Sequence, residues 1–222
     1  EAYKGTMLLG TPTFLSGILR GSTEGQLDSL RLVVSGAEKC PQGVYAAFAE
    51  RCPNAKILEG YGISECSPVV AVNNEEEPVP FTIGRVLPSL EYAIVDEETG
   101  RRAAQGASGV LLVRGPSVFA GYLNYDGPSP FVDFDGKRWY RTGDIVSQDA
   151  SGVLTFAGRL KRFVKLGGEM ISLPAVEEVL AGLYGAGDEG PTVAVEAAEV
   201  DERPEIVLFA TIELDRAEVN RK

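Results

Sequence analysis

The segment Gly60-Tyr61-Gly62-Ile63-Ser64-Glu65 puts several kinds of chemistry into six residues. Glycines on both sides of an aromatic let the backbone bend and let a planar ligand come close to it. The Tyr61 ring offers a face for a base, a contact worth about 1–3 kcal/mol where aromatic side chains stack on nucleic-acid bases. Ser64 offers a hydroxyl to a phosphate oxygen. Glu65 offers a hard oxygen of the kind Mg2+ takes. The same residues also suit a loop that holds a packed tyrosine and a solvated glutamate, and both readings stand at this point.

Two more stretches carry candidate chemistry. Trp139-Tyr140-Arg141-Thr142-Gly143-Asp144 places a carboxylate directly after an expected glycine turn. A carboxylate accepts two hydrogen bonds, so Asp144 can hold both hydroxyls of a ribose; a plain turn aspartate is the alternative. From Arg159 to Lys165 there are four cations in seven residues, Arg159, Lys161, Arg162 and Lys165, followed by Gly167-Gly168. This is either a solvated basic strand or a junction that handles anions, with the two glycines leaving room for a thin ligand arm. Neither Gly136-Lys137 nor Arg20-Gly21-Ser22-Thr23-Glu24-Gly25 completes a phosphate-cradling P-loop, and the second reads as a surface turn.

The elements that must position these residues are readable from the pattern. Leu30–Gly36 is a short apolar run ending in glycine, expected as a buried strand. Pro41 sits where a helix can begin, with Val44, Ala47, Phe48 and Cys52 at helical spacing and Pro53-Asn54 to stop it. Lys56–Gly60 is expected as a second strand running into a glycine turn. Strand, helix, strand implies a parallel α/β layer, whose ligands sit past the carboxyl ends of the strands. From Pro78 to Gly158 helical periodicity disappears. Short runs at Glu91–Val95, Gly109–Val113 and Gly152–Phe156 between turn residues predict a small antiparallel β-subdomain. Pro174 then opens a helix with Val176, Val179, Leu180 and Leu183 expected on one face. Gly185 or Gly187 ends it, and strands follow at Thr192–Glu196 and Ile206–Ile212.

Composition excludes several classes. The chain has 222 residues, no histidine and a net charge of −11. Ser-His-Asp triads, Cys-His dyads and histidine metal sites are out, and the acidity argues against a nucleic-acid polymer as partner. Cys40, Cys52 and Cys66 are odd in number and show no CxxC spacing, which suits a reduced, cytoplasmic chain with inert thiols. No apolar run approaches the ~20 residues of a membrane-spanning helix.

Taken in order, these segments resemble one family, the adenylate-forming acyl ligases (AMP-dependent synthetases and ligases). Leu58–Glu65 resembles the Y-G-x-T-E motif. Gly109–Val113 with Gly115 and Gly121-Tyr122 resembles G-E-L-x-V-x-G…G-Y. Tyr140–Asp144 resembles Y-x-T-G-D, and Gly158–Gly168 resembles the G-R-x-K…K-x-x-G hinge region. Within the family, Gly60–Val70 and Gly158–Leu173 look most similar to the acyl-acyl-carrier-protein synthetase part of 2-acylglycerophosphoethanolamine acyltransferases.

The resemblance implies a fold of α/β plus β: the end of a parallel α/β adenylate-binding subdomain (1–80), a small antiparallel β-subdomain (81–158) and a partial, mobile α+β C-terminal cap (159–222). It implies two steps. A carboxylic acid, fatty in the finer resemblance, attacks the α-phosphate of ATP; a thiol of CoA, or of the phosphopantetheine of an acyl carrier protein, then takes the acyl group. Carried over by position, Gly36, Ala37 and Glu38 wall the adenine, and Tyr61 stacks on it between Gly60 and Gly62. Ser64 touches the α-phosphate where the family usually has threonine, and Glu65 binds Mg2+. Asp144 holds the ribose diol with Arg159 beside it. Lys161 is the hinge of the cap, while Lys165, Gly167 and Gly168 face the pantetheine channel. An acidic carrier protein would find its basic docking face on Arg159, Lys161, Arg162 and Lys165. Association of the parent enzyme with the inner membrane face is compatible with the phospholipid-remodelling resemblance. The family's phosphate loop belongs upstream of this segment and its late lysine downstream, so the chain is expected to be a piece of a larger enzyme. A non-catalytic nucleotide- or acyl-binding module is the alternative.

Overall fold

The computed structural model describes residues 4–166, 169–187, 190–200 and 203–214. By packing, the chain divides into two compact units, Glu1–Thr142 with Val146–Phe156, and Gly143–Ile145 with Ala157–Lys222.

The larger unit begins with Met7–Gly10 (β1), Pro12–Gly21 (α1), Leu32–Ser35 (β2), Gln42–Arg51 (α2) and Lys56–Gly62 (β3). β1, β2 and β3 pair in parallel, with Gly10, Ser35 and Glu59 in one register row. The helix α1, which the sequence pattern did not delimit, is set by its start. Thr11 accepts a hydrogen bond from the Phe14 N–H at 3.2 Å, and Pro12 occupies the first turn, where no N–H is needed. One stripe of α1 (Leu15, Leu19) and one of α2 (Val44, Phe48) bury against Leu30, Val33, Cys40 and Cys52. α2 stops at Arg51, two residues before Pro53.

The expected glycine turn at Gly60 is not a turn. β3 runs through to Gly62 and pairs antiparallel with Val69–Val72 (β4), with a register irregularity between Tyr61 and Gly62. The reason is close approach of backbones: a Cβ on Gly62 would lie 2.6 Å from the Pro68 carbonyl oxygen. Arg85–Val86 (β5) completes this mixed five-stranded sheet.

The second sheet contains Glu91–Val95 (β6), Ser108–Arg114 (β7), Phe131–Phe134 (β8), Lys137–Gln148 (β9) and Leu154–Arg159 (β10), in the order β10-β9-β7-β6 with β8 on β9. Here too a predicted turn is absent. Tyr140–Asp144 lies inside the long strand β9, and Gly143 takes its φ of +74° in mid-strand. Gly84 joins the two sheets. The Leu154 N–H donates to its carbonyl at 2.7 Å, and a Cβ there would meet the Val72 oxygen at 2.1 Å. Between the sheets lie Tyr61, Cys66, Val70, Leu111, Val113, Tyr140, Val146 and Leu154.

In the smaller unit a 3-10 turn, Leu160–Arg162, leads to the hairpin Phe163–Leu166 (β11) and Glu169–Ser172 (β12). The helix Leu173–Tyr184 (α3) starts one residue before Pro174, where Ser172 Oγ accepts from the Ala175 N–H, and ends at Gly185. Ala186–Gly187 (β13) pairs with Gly190–Pro191 (β14), and Val193–Val200 (β15) with Arg203–Ala210 (β16). The predicted apolar face of α3 is corrected. Val176 and Leu180 pack with Leu173, Val164 and Val195, whereas Val179 is 63% and Leu183 46% exposed. Leu173 fixes the buried stripe at i, i+3, i+7, which turns the 179/183 row outward. Among the described residues no helix is long and apolar enough to cross a membrane.

Candidate functional site

The site in the larger unit is built at the carboxyl ends of β1, β2 and β3. The chain leaves β2 through Gly36, whose N–H donates to the Gly10 carbonyl at 3.2 Å. A Cβ on Gly36 would lie 3.6 Å from the Gly60 carbonyl oxygen, so Gly10, Gly36 and Gly60 stand side by side. Ala37 follows in the left-handed region, φ +69°, a conformation that costs free energy in a non-glycine residue. Glu38 accepts from Thr13 Oγ1 at 3.4 Å, at the first turn of α1. Gly36, Ala37 and Glu38 therefore form a turn where parallel α/β sheets bind ligands.

A buried carboxylate supports this turn. Glu59, the β3 residue just before Gly60, is 6% exposed. Its Oε1 accepts from the Tyr45 hydroxyl at 2.5 Å and the Phe81 N–H at 2.7 Å, and its Oε2 from the Cys40 N–H at 3.3 Å. Burial, and the loss of that bond to Glu59 on ionisation, push the Tyr45 phenol far up, so Tyr45 remains a donor. Sequence reasoning passed over Glu59 because a charged residue in a strand reads as a solvated one.

Tyr61 is buried, and its ring stacks on Phe156 with centroids 6.0 Å apart and planes 28° apart. Ser64 and Glu65 begin the 3-10 turn Ser64–Cys66. A loop from the end of β7 closes on that turn with three hydrogen bonds. The Phe119 N–H donates to the Glu65 carbonyl at 2.8 Å, Ser67 Oγ donates to the Ser117 carbonyl at 3.0 Å, and the Tyr122 hydroxyl donates to Glu65 Oε1 at 2.7 Å. Behind Tyr122 lies the buried Tyr140. Burial first, then the neighbouring Tyr122, raise the Tyr140 phenol well above its ordinary value.

Glu65 holds no cation by itself. Among the described residues no three His, Cys, Asp or Glu side chains gather as a metal cluster. Mg2+ is commonly held by one or two carboxylates with the rest of its shell from substrate phosphates and water. Glu65 fits that donor set when a phosphate-bearing ligand supplies the remaining oxygens.

In the smaller unit, Asp144 is a buried carboxylate, its side chain 3% exposed, with Arg159 Nε at 3.5 Å; the Arg159 side chain is itself 72% exposed. Lys161 is exposed in the 3-10 turn and Lys165 exposed in β11. Arg162 does not belong to a cationic docking face. Its guanidinium binds Glu177 at 2.7 Å, Glu196 at 3.2 Å and the Val195 carbonyl at 3.1 Å, tying the turn to α3 and β15. Gly167 and Gly168 lie outside the described residues.

The site residues thus fall into three groups: Gly36, Ala37 and Glu38 beside Gly60; Tyr61 and Gly62 leading to Ser64 and Glu65; and Asp144 with Arg159. A mixed α/β fold with glycines at the ends of adjacent parallel strands suits a ligand-binding site. A profile of the AMP-binding enzyme family matches residues 1–123, and the chain belongs to that family, the adenylate-forming ligases. It is 28% identical over 226 residues to the 4-coumarate–CoA ligase of Pinus taeda, an alignment covering 99% of this chain and 42% of that protein. It is 36% identical over 183 residues to the long-chain-fatty-acid–CoA ligase of Bacillus subtilis, covering 81% of this chain and 32% of that one. The crystal structure of ATP-bound MatB from Rhodopseudomonas palustris superposes with a TM-score of 0.78 at 26% identity, over 97% of this chain and 43% of MatB. The chain therefore spans less than half the length of these relatives.

Proposed function

We propose that the protein is an ATP-dependent acid–thiol ligase. A carboxylic acid attacks the α-phosphate of ATP and expels pyrophosphate, and a thiol then takes the acyl group from the adenylate and releases AMP. One arrangement carries this reading: the Gly36-Ala37-Glu38 turn, Gly60 and the run Tyr61–Glu65 succeed one another across the carboxyl ends of β2 and β3.

In this reading Gly36, Ala37 and Glu38 wall the adenine, and Tyr61 supplies the ring face, held by Phe156 behind it. Ser64 donates to an α-phosphate oxygen. Glu65 would hold Mg2+, which would supply charge neutralisation at the phosphates. Asp144, with Arg159 beside it, accepts from the ribose hydroxyls. The work of these side chains is positioning and charge stabilisation, so no histidine is needed. Residues 159–222 act as a cap that turns about Lys161 between the half-reactions, bringing Lys165 and Gly167-Gly168 to the pantetheine arm. A fatty acid is the proposed substrate and CoA the proposed thiol.

The test is ATP–pyrophosphate exchange by the full-length protein with short, medium and long fatty acids and aryl acids, then thioester formation with CoA or a holo acyl carrier protein. Exchange with no carboxylate overturns the ligase reading, and AMP binding without exchange assigns a nucleotide-binding module instead. Transfer to the carrier protein alone replaces CoA as acceptor. Calorimetry of AMP without metal tests the residues. Asp144→Ala is expected to weaken binding more than Glu65→Ala, because the ribose contact needs no metal and the Glu65 contact does. The reverse order refutes both assignments.

A further inference from the structure

Tyr122 is 47% exposed, too open for burial of its ring to be what fixes it. Its place is fixed by edge-on contacts with Phe119 at 4.8 Å and Tyr125 at 5.3 Å, and by its hydroxyl, which ends on Glu65 Oε1. The loop that carries it is anchored at both ends of the contact. At Gly115, φ +156°, a Cβ would stand 2.6 Å from Leu90 Cδ2, and Phe119 is edge-on to the buried Tyr140 at 5.3 Å. The Tyr122 hydroxyl thus ends on one oxygen of the Glu65 carboxylate, at 2.7 Å. A glutamate has three rotatable bonds, and a single carboxylate that shares a cation with a ligand's phosphates must be aimed before the ion arrives.

We infer that Tyr122, held by Phe119, is a positioning residue that aims the Glu65 carboxylate at a divalent cation bound with the nucleotide phosphate. This rests on the reading of Glu65 as the metal-binding carboxylate. In this role Tyr122 acts through Glu65. Its hydroxyl occupies Oε1 and restricts the torsions that place Oε2.

The experiment uses Tyr122→Phe, Glu65→Gln and the double variant in the full-length protein. Two quantities are read: Mn2+ half-saturation in the presence of AMP, from the electron paramagnetic resonance of free Mn2+, and the Mg2+ concentration for half-maximal ATP–pyrophosphate exchange. Phenylalanine keeps the ring contacts and removes only the donor. Loss of one hydrogen bond to a charged group at a partly exposed site is expected to raise both midpoints about tenfold. AMP affinity without metal and the unfolding midpoint should stay unchanged. The double variant should be no worse than Glu65→Gln, because the two residues act through one carboxylate. If Glu65→Gln raises the midpoints and Tyr122→Phe does not, the positioning role is overturned. If Tyr122→Phe lowers the unfolding midpoint and metal-free AMP affinity as much as metal affinity, its role is structural and the inference is likewise overturned. If Glu65→Gln changes neither midpoint, the metal-ligand reading of Glu65 fails instead.

Discussion

Removing the Glu59 carboxylate tests whether the turn at Gly36–Glu38 is held from below. Glu59 Oε1 takes the two short bonds, from Tyr45 at 2.5 Å and Phe81 at 2.7 Å, and Oε2 the longer one from Cys40 at 3.3 Å. Glu59→Ala strands all three donors in a site that is 6% exposed. An unsatisfied buried donor costs about 1–3 kcal/mol. The Tyr45 and Phe81 bonds are only part-buried, so water relieves some of that cost. The expected loss is about 3 kcal/mol, a large fraction of the ~5–15 kcal/mol that holds a domain folded. Glu59→Gln keeps a carbonyl oxygen for Tyr45 and Phe81 but turns an NH2 toward the Cys40 N–H, a donor facing a donor. It should cost about 1–2 kcal/mol. Tyr45→Phe removes one donor and leaves two, and should cost about 1 kcal/mol. Urea unfolding followed by the fluorescence of Trp139, the single tryptophan, gives the three values. The Cys40 N–H anchors the chain two residues after Glu38, so Glu59→Ala should also weaken metal-free AMP binding in the folded protein. A Glu59→Ala variant within about 0.5 kcal/mol of the parent, the range of an ordinary surface change, would refute the reasoning. So would a Glu59→Gln variant as damaged as Glu59→Ala, since that would make the charge, and not the acceptor positions, decisive.

Arg162→Met should destabilise the smaller unit by about 1–2 kcal/mol, since it breaks charge-assisted bonds at partly buried Glu177; Lys161→Met, at an exposed position, should change little, and equal effects would return Arg162 to the surface. The same contact predicts a pH dependence. Burial pushes the Glu177 carboxyl up, but Arg162 and the Val195 N–H overcome this and hold it below its ordinary value of 4.5. A depressed pKa stabilises above the unfolded value and fades as pH falls through the folded one, so the parent's advantage over Arg162→Met should be full above pH 5 and shrink below pH 4.5. The three thiols should ignore a disulfide reagent at pH 8 until urea unfolds the chain. Burial raises Cys40 and Cys52 and pushes Cys66 to about 11; fast labelling of the native protein at any of them would contradict this.

Local pattern alone determined a good deal of this protein. The parallel strand–helix–strand layer of β2, α2 and β3, the short strands at β6, β7 and β10 and the start of α3 near Pro174 are all short-range properties: apolar period, proline and glycine placement, turn residues. So is the ordered set of motifs that marks the adenylate-forming ligases. Sequence could not decide what depends on a distant chain segment. Gly60 and Gly62 look like turn residues until β4 lies against them, and then they are the places where two backbones come too close for a Cβ. Gly143 looks like the end of a strand, yet β9 continues through it. Arg162 counts as one more cation in a basic run until α3 and β15 present Glu177 and Glu196. Glu59 reads as solvated until Tyr45, Cys40 and Phe81 bring three donors to it, and nothing near Tyr122 in sequence points to Glu65, 57 residues away. Periodicity and spacing report which residues can share a face or a turn. Burial, hydrogen-bond partners and the orientation of a carboxylate are set by contacts between residues far apart in the chain, and only the tertiary structure supplies those.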